Sequence, residues 1–236
     1  MTSKGCLFLV PTTLGDSGLD LVLPTQVQEK IKPLRFFIAE HSKQARAFFK
    51  LVNLDHPQSD LNITELNKHT DRKVLLEFLQ PIFDGNDMAL LSDAGCPGIA
   101  DPGADVIALA HQHQIEIYPF VGPSSILLAH MASGMNGQSF AFNGYLPIDA
   151  SAKKQAIKQF EKRAQSGQSQ SFIETPYRNK QLFSDLIKAC QNQTKLCVAF
   201  QLTLPDQSIK TKTIAEWKKT ATPDFHKKPC VFVLGS

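Results

Sequence analysis

The sequence predicts an α/β protein with two domains, a mainly parallel one over residues 1–121 and a mixed one over residues 122–236, with a ligand cleft between them. Short apolar strands alternate with helical patterns four times along the first half, which is typical of a parallel sheet covered by helices. The later strands of the second half have short connections, which favours antiparallel pairing. Four predicted strands end in loops of small or polar residues, at the edge where open α/β sheets bind ligands.

Four apolar runs in the N-terminal half are predicted strands, and periodic apolar residues between them indicate helices. The strands are expected at 6–10, 34–39, 88–91 and 115–120, and the helices at 24–31, at 43–51, from Thr70 or Asp71 to Ile82, at 104–113 and at 126–133. Ser42 is a candidate N-cap, because a serine hydroxyl can accept a hydrogen bond from the first backbone N–H groups of a helix. The polar stretch 53–62 is expected to be a loop.

The C-terminal half continues with five predicted strands and two long helices. The strands are expected at 140–145, 171–174, 196–202, 209–214 and 230–234, and the helices at 151–164 and 179–190. This arrangement predicts a second α/β domain whose topology differs from that of the first.

The stretch from Ser92 to Gly103 places three glycines, two prolines and two aspartates within twelve residues, directly after a buried strand. Glycine permits a positive φ and a close approach of a ligand to the backbone, and proline stiffens the loop. A purely structural alternative is a tight turn that starts a helix, with Asp101 as the N-cap and Pro102 at the first helical position. That alternative leaves Ser92 to Ile99 without a role.

Composition narrows the class of protein. An apolar content of 42% suffices for sizeable cores, and 20% charged residues is ordinary for a globular protein. No apolar stretch reaches the length of a membrane span. Five cysteines without metal-ligand spacing favour a reducing compartment over a disulfide framework. We therefore expect a cytoplasmic protein with neither a membrane nor a metal as a partner.

Charge is unevenly distributed along the chain. Residues 1–150 contain 10 basic and 16 acidic residues, a net charge of −6, whereas residues 151–236 contain 15 basic and 6 acidic residues, a net charge of +9. A basic half favours a phosphate-bearing partner such as a nucleic acid. Because the lysines are scattered rather than clustered, a merely solvated surface is an equal alternative.

The loop from Ser92 to Gly103 is one of a series of recognisable segments. The others are Leu9-Val10-Pro11-Thr12-Thr13-Leu14-Gly15-Asp16, Ala39-Glu40-His41-Ser42-Lys43, Gly122-Pro123-Ser124-Ser125, Phe140 to Pro147, Glu174-Thr175-Pro176-Tyr177-Arg178 and Gln201-Leu202-Thr203. In this order, and over nearly the whole chain, they resemble the motifs of the ribosomal RNA small subunit methyltransferase I family. That family belongs to the tetrapyrrole methylase superfamily of S-adenosylmethionine-dependent methyltransferases.

The resemblance implies two α/β domains, a homodimer and S-adenosylmethionine as the cofactor. By motif position it also implies cofactor contacts at Pro11, Ser92, Asp93, Ala94, Gly95, Ile99, Ser124, Ser125, Thr175, Pro176 and Leu202. The reaction it implies is methyl transfer to a ribose 2′-hydroxyl of small-subunit ribosomal RNA.

Such a reaction demands few catalytic side chains, because the sulfonium already activates the methyl group and the protein mainly aligns donor and acceptor. The chain has neither a G-x-G-x-x-G after its first strand nor a phosphate-binding P-loop, which argues against a dehydrogenase or a nucleotide hydrolase. A hydroxyl acceptor would gain from a nearby base. Glu40 and Asp93 are the candidates, ahead of His41. A cap or a loop-fixing hydrogen bond is the alternative role for both carboxylates.

Several residues depart from the family pattern. His41 and Lys43 replace Asp and Arg, Cys96 replaces Thr, Tyr177 replaces His and Gln201 replaces Glu. Three rival functions therefore stay open: a small-molecule, tetrapyrrole-like methyltransferase, a non-catalytic module that binds S-adenosylmethionine or docks on the ribosome, and an unrelated α/β protein. RNA predicts salt-sensitive binding, whereas a tetrapyrrole predicts a deep pocket with apolar walls. Cys96 is expected to be a small loop residue rather than a reactive thiol.

Overall fold

A computed structural model describes residues 4–67 and 69–236. The chain divides into two compact units, Met1–Ser124 and Ser125–Ser236, each with its own sheet. Across the part of the chain that is described, no helix combines the length and the apolar character that crossing a membrane requires.

The first unit alternates strands and helices throughout. Its elements are β1 (Leu7–Val10), α1 (Leu19–Val22), α2 (Thr25–Ile31), β2 (Phe36–Ala39), α3 (Ser42–Val52), β3 (Asn62–Glu65), α4 (Leu75–Phe78), α5 (Gln80–Phe83), β4 (Met88–Leu91), α6 (Ala104–Gln112) and β5 (Ile117–Pro119). The five strands form one sheet in the order β3-β2-β4-β1-β5, and every pair is parallel. The predicted parallel α/β architecture is therefore confirmed.

Helices cover both faces of this sheet, because its central strands are apolar on both sides. Every residue of β4 is buried. One apolar cluster gathers Val10, Phe37 and Phe49, and a second gathers Leu7, Ile38 and Leu79. Alternate residues of β1 and β2 thus point to opposite faces, as strand geometry requires.

The structure corrects two sequence-based expectations for the first unit. The polar stretch 53–62 is a loop up to Leu61, with a 3₁₀ turn at Gln58–Asp60, but Asn62 begins β3, an edge strand that the sequence did not predict and that pairs with β2 on one side only. A single helix was expected from Thr70 or Asp71 to Ile82. Instead a short 3₁₀ turn at Arg72–Val74 precedes α4, and Leu79, with φ −89° and ψ 0°, separates α4 from α5. Pro81 follows at the start of α5, where its missing N–H costs least.

The second unit has a mixed sheet, as predicted. Its elements are α7 (Ser125–Ser133), β6 (Phe140–Tyr145), α8 (Ala150–Gln165), β7 (Ser169–Ile173), α9 (Asn179–Ala189), β8 (Lys195–Phe200), β9 (Ser208–Thr213), α10 (Ile214–Lys218) and β10 (Cys230–Gly235). The strand order is β6-β7-β10-β8-β9. Only the β6–β7 pair is parallel, and β10 pairs antiparallel with both β7 and β8.

The core of the second unit is aromatic. Phe172 on β7 stacks near Phe232 on β10, with ring centroids 6.0 Å apart. Trp217 is buried on α10, a helix that the sequence reading missed, and its indole N–H donates to the Leu196 carbonyl at 2.8 Å. Thr213 and Glu216 begin α10 with a capping box. This reciprocal pair of hydrogen bonds explains why so short a segment is helical.

Candidate active site

The carboxyl ends of three neighbouring parallel strands bring the predicted site residues of the first unit together. β4 lies between β2 and β1, and Leu91 is in register with Ala39 on one side and Val10 on the other. The residues that directly follow these three strands are Glu40, Ser92 and Pro11, which therefore lie side by side at the edge of the sheet. This is the edge at which open parallel sheets bind their ligands.

Hydrogen bonds join the loop after β1 to the loop after β4. The Thr12 N–H donates to the Gly95 carbonyl at 2.9 Å, and the Gly95 N–H donates back to the Thr12 carbonyl at 3.3 Å. The Thr12 hydroxyl donates to the Ser92 carbonyl at 3.1 Å, and the Ser92 hydroxyl donates to the Gly95 carbonyl at 3.1 Å. Gly95 adopts φ +86°, a conformation that favours glycine. The tip of the Ser92–Gly103 loop is therefore held in one conformation.

Asp101 shapes the second half of the same loop. Its Oδ1 accepts hydrogen bonds from the N–H groups of Gly98, at 2.7 Å, and Gly103, at 2.9 Å. The interpretation of Asp101 as the N-cap of a helix starting at Pro102 was wrong, since α6 begins at Ala104 with Gly103 as its N-cap. The carboxylate closes the loop instead. Its other oxygen, Oδ2, is buried and has no hydrogen-bond partner in the described part of the chain.

Glu40, His41 and Asp93 form a compact polar cluster at this edge. The Nδ1 of His41 lies 2.6 Å from the Oδ2 of Asp93. Functional atoms of all three side chains lie within 4.8 Å of one another. The imidazole is 57% exposed and the Asp93 carboxylate 29% exposed, so solvent reaches both groups.

The cluster perturbs the titration of its members. The hydrogen bond and the charge of Asp93 raise the pKa of His41. Burial, followed by the negative charges of Asp93 and Asp101, raises the pKa of Glu40. Burial also raises the pKa of Asp101, although its hydrogen bonds from Gly103 and Gly98 oppose this. Perturbed groups gathered at a ligand-binding edge are typical of functional sites.

Ser42 has a different role from the predicted one. The residue preceding α3 is His41, and the Ser42 hydroxyl does not cap the helix. The Ser42 N–H donates to Oε1 of Glu65, the last residue of β3, at 2.9 Å. Hydrogen bonding from the Ser42 side chain, followed by that from its backbone N–H, lowers the pKa of Glu65. The carboxylate of the unpredicted edge strand thus stabilises the helix start that carries His41.

Two further motifs lie in the second unit. Glu174, which follows β7 and is buried, accepts hydrogen bonds from the Thr175 N–H at 2.6 Å and from the Arg178 guanidinium at 2.7 Å. The carboxylate therefore fixes the turn that contains Thr175 and Pro176. Charge-assisted bonds of this kind are about twice as strong as neutral ones.

The segment Gln201–Thr203 follows β8 in an unusual conformation. Gln201 and Thr203 adopt φ +54° and +71°, which side-chain-bearing residues rarely do. The Thr203 hydroxyl is buried and has no hydrogen-bond partner among the described residues. Leu202 is buried. Backbone strain together with an unsatisfied hydroxyl is typical of a segment that meets a ligand.

The predicted cofactor residues fall into two groups. Pro11, Ser92, Asp93, Ala94, Gly95, Ile99 and Ser124 belong to the first unit, and Ser125, Thr175, Pro176 and Leu202 belong to the second. Within the first unit, Ala94 and Ile99 are exposed, whereas Pro11, Ser92 and Gly95 are buried. A ligand at this loop would meet an apolar side chain, small residues and the Asp93 carboxylate.

Sequence reasoning undervalued two residues. His41 ranked behind Glu40 and Asp93, although it follows Glu40 directly at a strand end. Asp101 was considered only in the structural alternative, as a cap, because Asp-Pro-Gly is a common helix start. The position of His41 just after a strand was the available signal. Because β2 and β4 are adjacent, a residue that follows β2 lies next to the loop that follows β4.

Known proteins resemble this chain over most of its length. A sequence model of the tetrapyrrole (corrin/porphyrin) methylases matches residues 23–218. The ribosomal RNA small subunit methyltransferase I of Halalkalibacterium halodurans is 30% identical over 237 residues, which cover 99% of this chain and 77% of the relative. The protein of the same description from Vibrio cholerae is 25% identical over 97% of this chain and 75% of its own length.

Solved structures share the fold. The methyltransferase CobJ superposes with a TM-score of 0.65 at 16% identity, covering 98% of this chain and 94% of its own. The uroporphyrin-III-C-methyltransferase from Thermus thermophilus superposes with a TM-score of 0.56 at 13% identity, covering 98% and 92%. Together with the extent of the family match, these findings show that the chain is a methyltransferase and belongs to the tetrapyrrole (corrin/porphyrin) methylase family.

Proposed function

We propose that this methyltransferase uses S-adenosylmethionine and methylates a ribose 2′-hydroxyl of small-subunit ribosomal RNA. The observation that carries the proposal is the similarity to relatives described as ribosomal RNA small subunit methyltransferases I, which extends over 97–99% of the chain in the two cases above. A match of this extent includes each of the loops described above.

The site has the groups that such a cofactor needs. Asp93 and Glu40 supply negative charge for a cationic ligand, and exposed Ile99 supplies an apolar surface for the nucleobase of the cofactor. Asp101 Oδ2 and Thr203 Oγ1 are buried polar atoms that a ligand hydroxyl or amine could satisfy. We propose cofactor contacts at Pro11, Ser92, Asp93, Ala94, Gly95, Ile99, Ser124, Ser125, Thr175, Pro176 and Leu202. Since the Leu202 side chain is buried, its contact would be through the backbone.

Few side chains need take part in the chemistry. Bound S-adenosylmethionine supplies an activated methyl group. The protein then has to hold the acceptor oxygen in line with that group and exclude water, which by itself can account for several kcal/mol of barrier lowering. We propose that Glu40 and Asp93 act on the acceptor side, where their negative charges favour removal of the proton that a hydroxyl must lose during the transfer.

Charge supports an RNA acceptor. Residues 151–236, with a net charge of +9, lie wholly in the second unit. There, Lys180, Lys188 and Lys218 line a cavity of about 510 Å³ beside Trp217. Lysines around an open groove are suited to the phosphates of a polynucleotide, and such contacts make binding salt-dependent.

The cofactor is tested first, by calorimetric titration of the protein with S-adenosylmethionine. We expect micromolar or tighter binding that is lost in a Ser92→Asp, Gly95→Trp double variant. The matched control is Gly18→Ala, because an added Cβ at Gly18 meets nothing within 4 Å. Absence of binding by the unmodified protein would contradict the use of this cofactor.

The acceptor is tested by transfer of labelled methyl groups to small ribosomal subunits, to extracted small-subunit RNA and to a tetrapyrrole. We expect label in the RNA on a ribose 2′-oxygen. Replacing Lys180, Lys188 and Lys218 by Gln should weaken RNA binding and reduce the slope of log K against log salt by roughly 2–3. The control replaces Lys30 and Lys50, which lie on helices of the first unit. Label in the tetrapyrrole alone, or cofactor binding with no turnover, would contradict the RNA assignment.

We further propose a homodimer that works in the cytoplasm. All five cysteines are free, which is consistent with a reducing compartment. Sedimentation velocity at micromolar concentration tests the assembly, and a monomer at that concentration would contradict it.

A further inference from the structure

His41 and Asp93 form a hydrogen-bonded pair between two neighbouring strand ends. His41 follows β2 and Asp93 follows β4, and these strands are neighbours in the sheet. The 2.6 Å distance between Nδ1 and Oδ2 is that of a strong, charge-assisted hydrogen bond. The pair is therefore built by the sheet edge that carries the Ser92–Gly95 loop.

This hydrogen bond selects the form of the neutral imidazole. A carboxylate only accepts, so the Nδ1 of His41 must carry the proton that it donates to Asp93. The second ring nitrogen, Nε2, then has a lone pair. Within residues 4–67 and 69–236, Nε2 of His41 has no hydrogen-bond partner, and the ring is 57% exposed. The lone pair is available to a substrate.

We infer that His41 is the general base that accepts the proton of the acceptor hydroxyl, and that Asp93 is the positioning residue that fixes its tautomer. The inference rests on the proposed methyl transfer to a hydroxyl. As the oxygen bonds to the methyl carbon, the O–H bond breaks and its proton moves to Nε2 of His41. The carbon–sulfur bond of the donor breaks and its electron pair stays on sulfur. The resulting imidazolium is stabilised by Asp93.

The charges around the ring favour this role. Asp93, Glu40 and Glu65 are the charged groups that act on His41, and all three are acidic, so they stabilise its protonated form. Glu40 is a weaker candidate for the base, because the ordinary pKa of a glutamate, about 4.3, lies roughly two units below that of a histidine, although burial raises the pKa of Glu40. A base whose pKa lies near the working pH combines the right protonation state with a useful driving force.

The experiment compares wild-type protein with His41→Gln, Asp93→Asn and, as a control, His111→Gln, which changes an exposed histidine on α6. Single-turnover methyl transfer is measured from pH 5.5 to 9. The wild-type rate should rise with pH and then level off. The rate of His41→Gln should be about 10²–10⁴-fold lower and should no longer rise with pH, while its cofactor affinity should be unchanged. In Asp93→Asn the rise of the rate should occur at lower pH than in wild type. His111→Gln should match wild type.

A second readout does not depend on turnover. Nitrogen-15 NMR of the histidine rings should show His41 as the Nδ1–H tautomer at high pH, with a pKa that falls in Asp93→Asn. A mixture of tautomers in wild type, or no change on replacing Asp93, would overturn the pairing.

The outcomes separate this inference from the function on which it rests. A wild-type protein that transfers methyl groups, together with His41→Gln that retains its rate and pH profile, would overturn the role of His41 alone. Loss of wild-type activity in EDTA, restored by a divalent cation, would also overturn it, since the cluster would then serve a metal. A wild-type protein that binds no cofactor, or methylates no hydroxyl, would overturn both.

Discussion

Gly122 lies against Pro11 with no room for a side chain. A Cβ on Gly122 would come within 2.3 Å of the Pro11 Cβ, a distance that real atoms do not reach. Gly122 follows β5 and Pro11 follows β1, and these strands are paired in parallel. The contact therefore holds close together two of the loops at the carboxyl edge of the first sheet, and it makes glycine a structural requirement there.

Replacing Gly122 by Ala should lower the free energy of unfolding by about 1–3 kcal/mol, the usual cost of an overpacked site. Urea unfolding followed by circular dichroism measures the change. Gly18→Ala is the control, because nothing lies within 4 Å of its added Cβ. Equal stability of the two variants would show that the loops can separate without cost.

Gly95→Ala should weaken binding of S-adenosylmethionine by at least about tenfold, because its φ of +86° is unfavourable for alanine and its Cβ would lie 3.3 Å from a Leu14 methyl carbon. Gly134→Ala has a similar strain, with φ +71°, but nothing within 4 Å. Both variants should lose about 1–2 kcal/mol of stability. Calorimetric titration should find the affinity reduced in Gly95→Ala only, and a similar loss in Gly134→Ala would refute a local role for Gly95.

The His41–Asp93 pair should make stability depend on pH. Because Asp93 raises the pKa of His41 in the folded protein, the pair stabilises the fold fully below the unfolded histidine pKa of about 6.5, and this contribution is lost as pH rises through the folded value. A double-mutant cycle with His41→Gln and Asp93→Asn isolates the coupling. We expect a coupling free energy below about 1 kcal/mol at pH 6, because the ring is 57% exposed, and a smaller coupling at pH 9. A coupling that grows with pH would contradict this sign.

Thiol labelling should distinguish the three buried cysteines from Cys96. Cys190, Cys197 and Cys230 are buried, and burial raises the pKa of Cys190 to about 12. They should react with a disulfide reagent at pH 8 only after unfolding. Cys96 is half-buried, its Sγ lies 3.4 Å from the Pro123 carbonyl oxygen, and burial and Asp101 raise its pKa. Its reaction should therefore be slow. The labelling rate that disappears in Cys96→Ser is the rate of Cys96. Fast labelling of Cys96 would identify a reactive thiol.

Most strands were predictable from the sequence, whereas the edge strand β3 was not. The apolar run that forms β4 marks a strand buried on both faces. β3 escaped detection because Asn62–Glu65 is an edge strand with no buried residue, so it has no hydrophobic pattern. The break of the expected helix at Leu79 was not predictable from the apolar pattern, because that pattern continues through α4 and α5 while the backbone at Leu79 leaves the helical conformation.

The candidate site was predictable as a set of loops but not as an arrangement of side chains. Glu40 and Asp93 were identified because each follows an apolar strand. The place of β10, the last strand of the chain, inserted between β7 and β8, could not be read from connection lengths, because pairing between distant segments depends on the whole sheet.

The sequence by itself determined the α/β class, the parallel first sheet and the family, because apolar periodicity and ordered loop motifs are local properties of the chain. Tertiary structure alone decided that His41 meets Asp93, 52 residues further along, and that Asp101 closes its loop rather than capping a helix. Those contacts depend on which strands become neighbours and on which N–H groups the folded loop leaves free. Both are consequences of burying the sheet, and neither is encoded in any short stretch of residues.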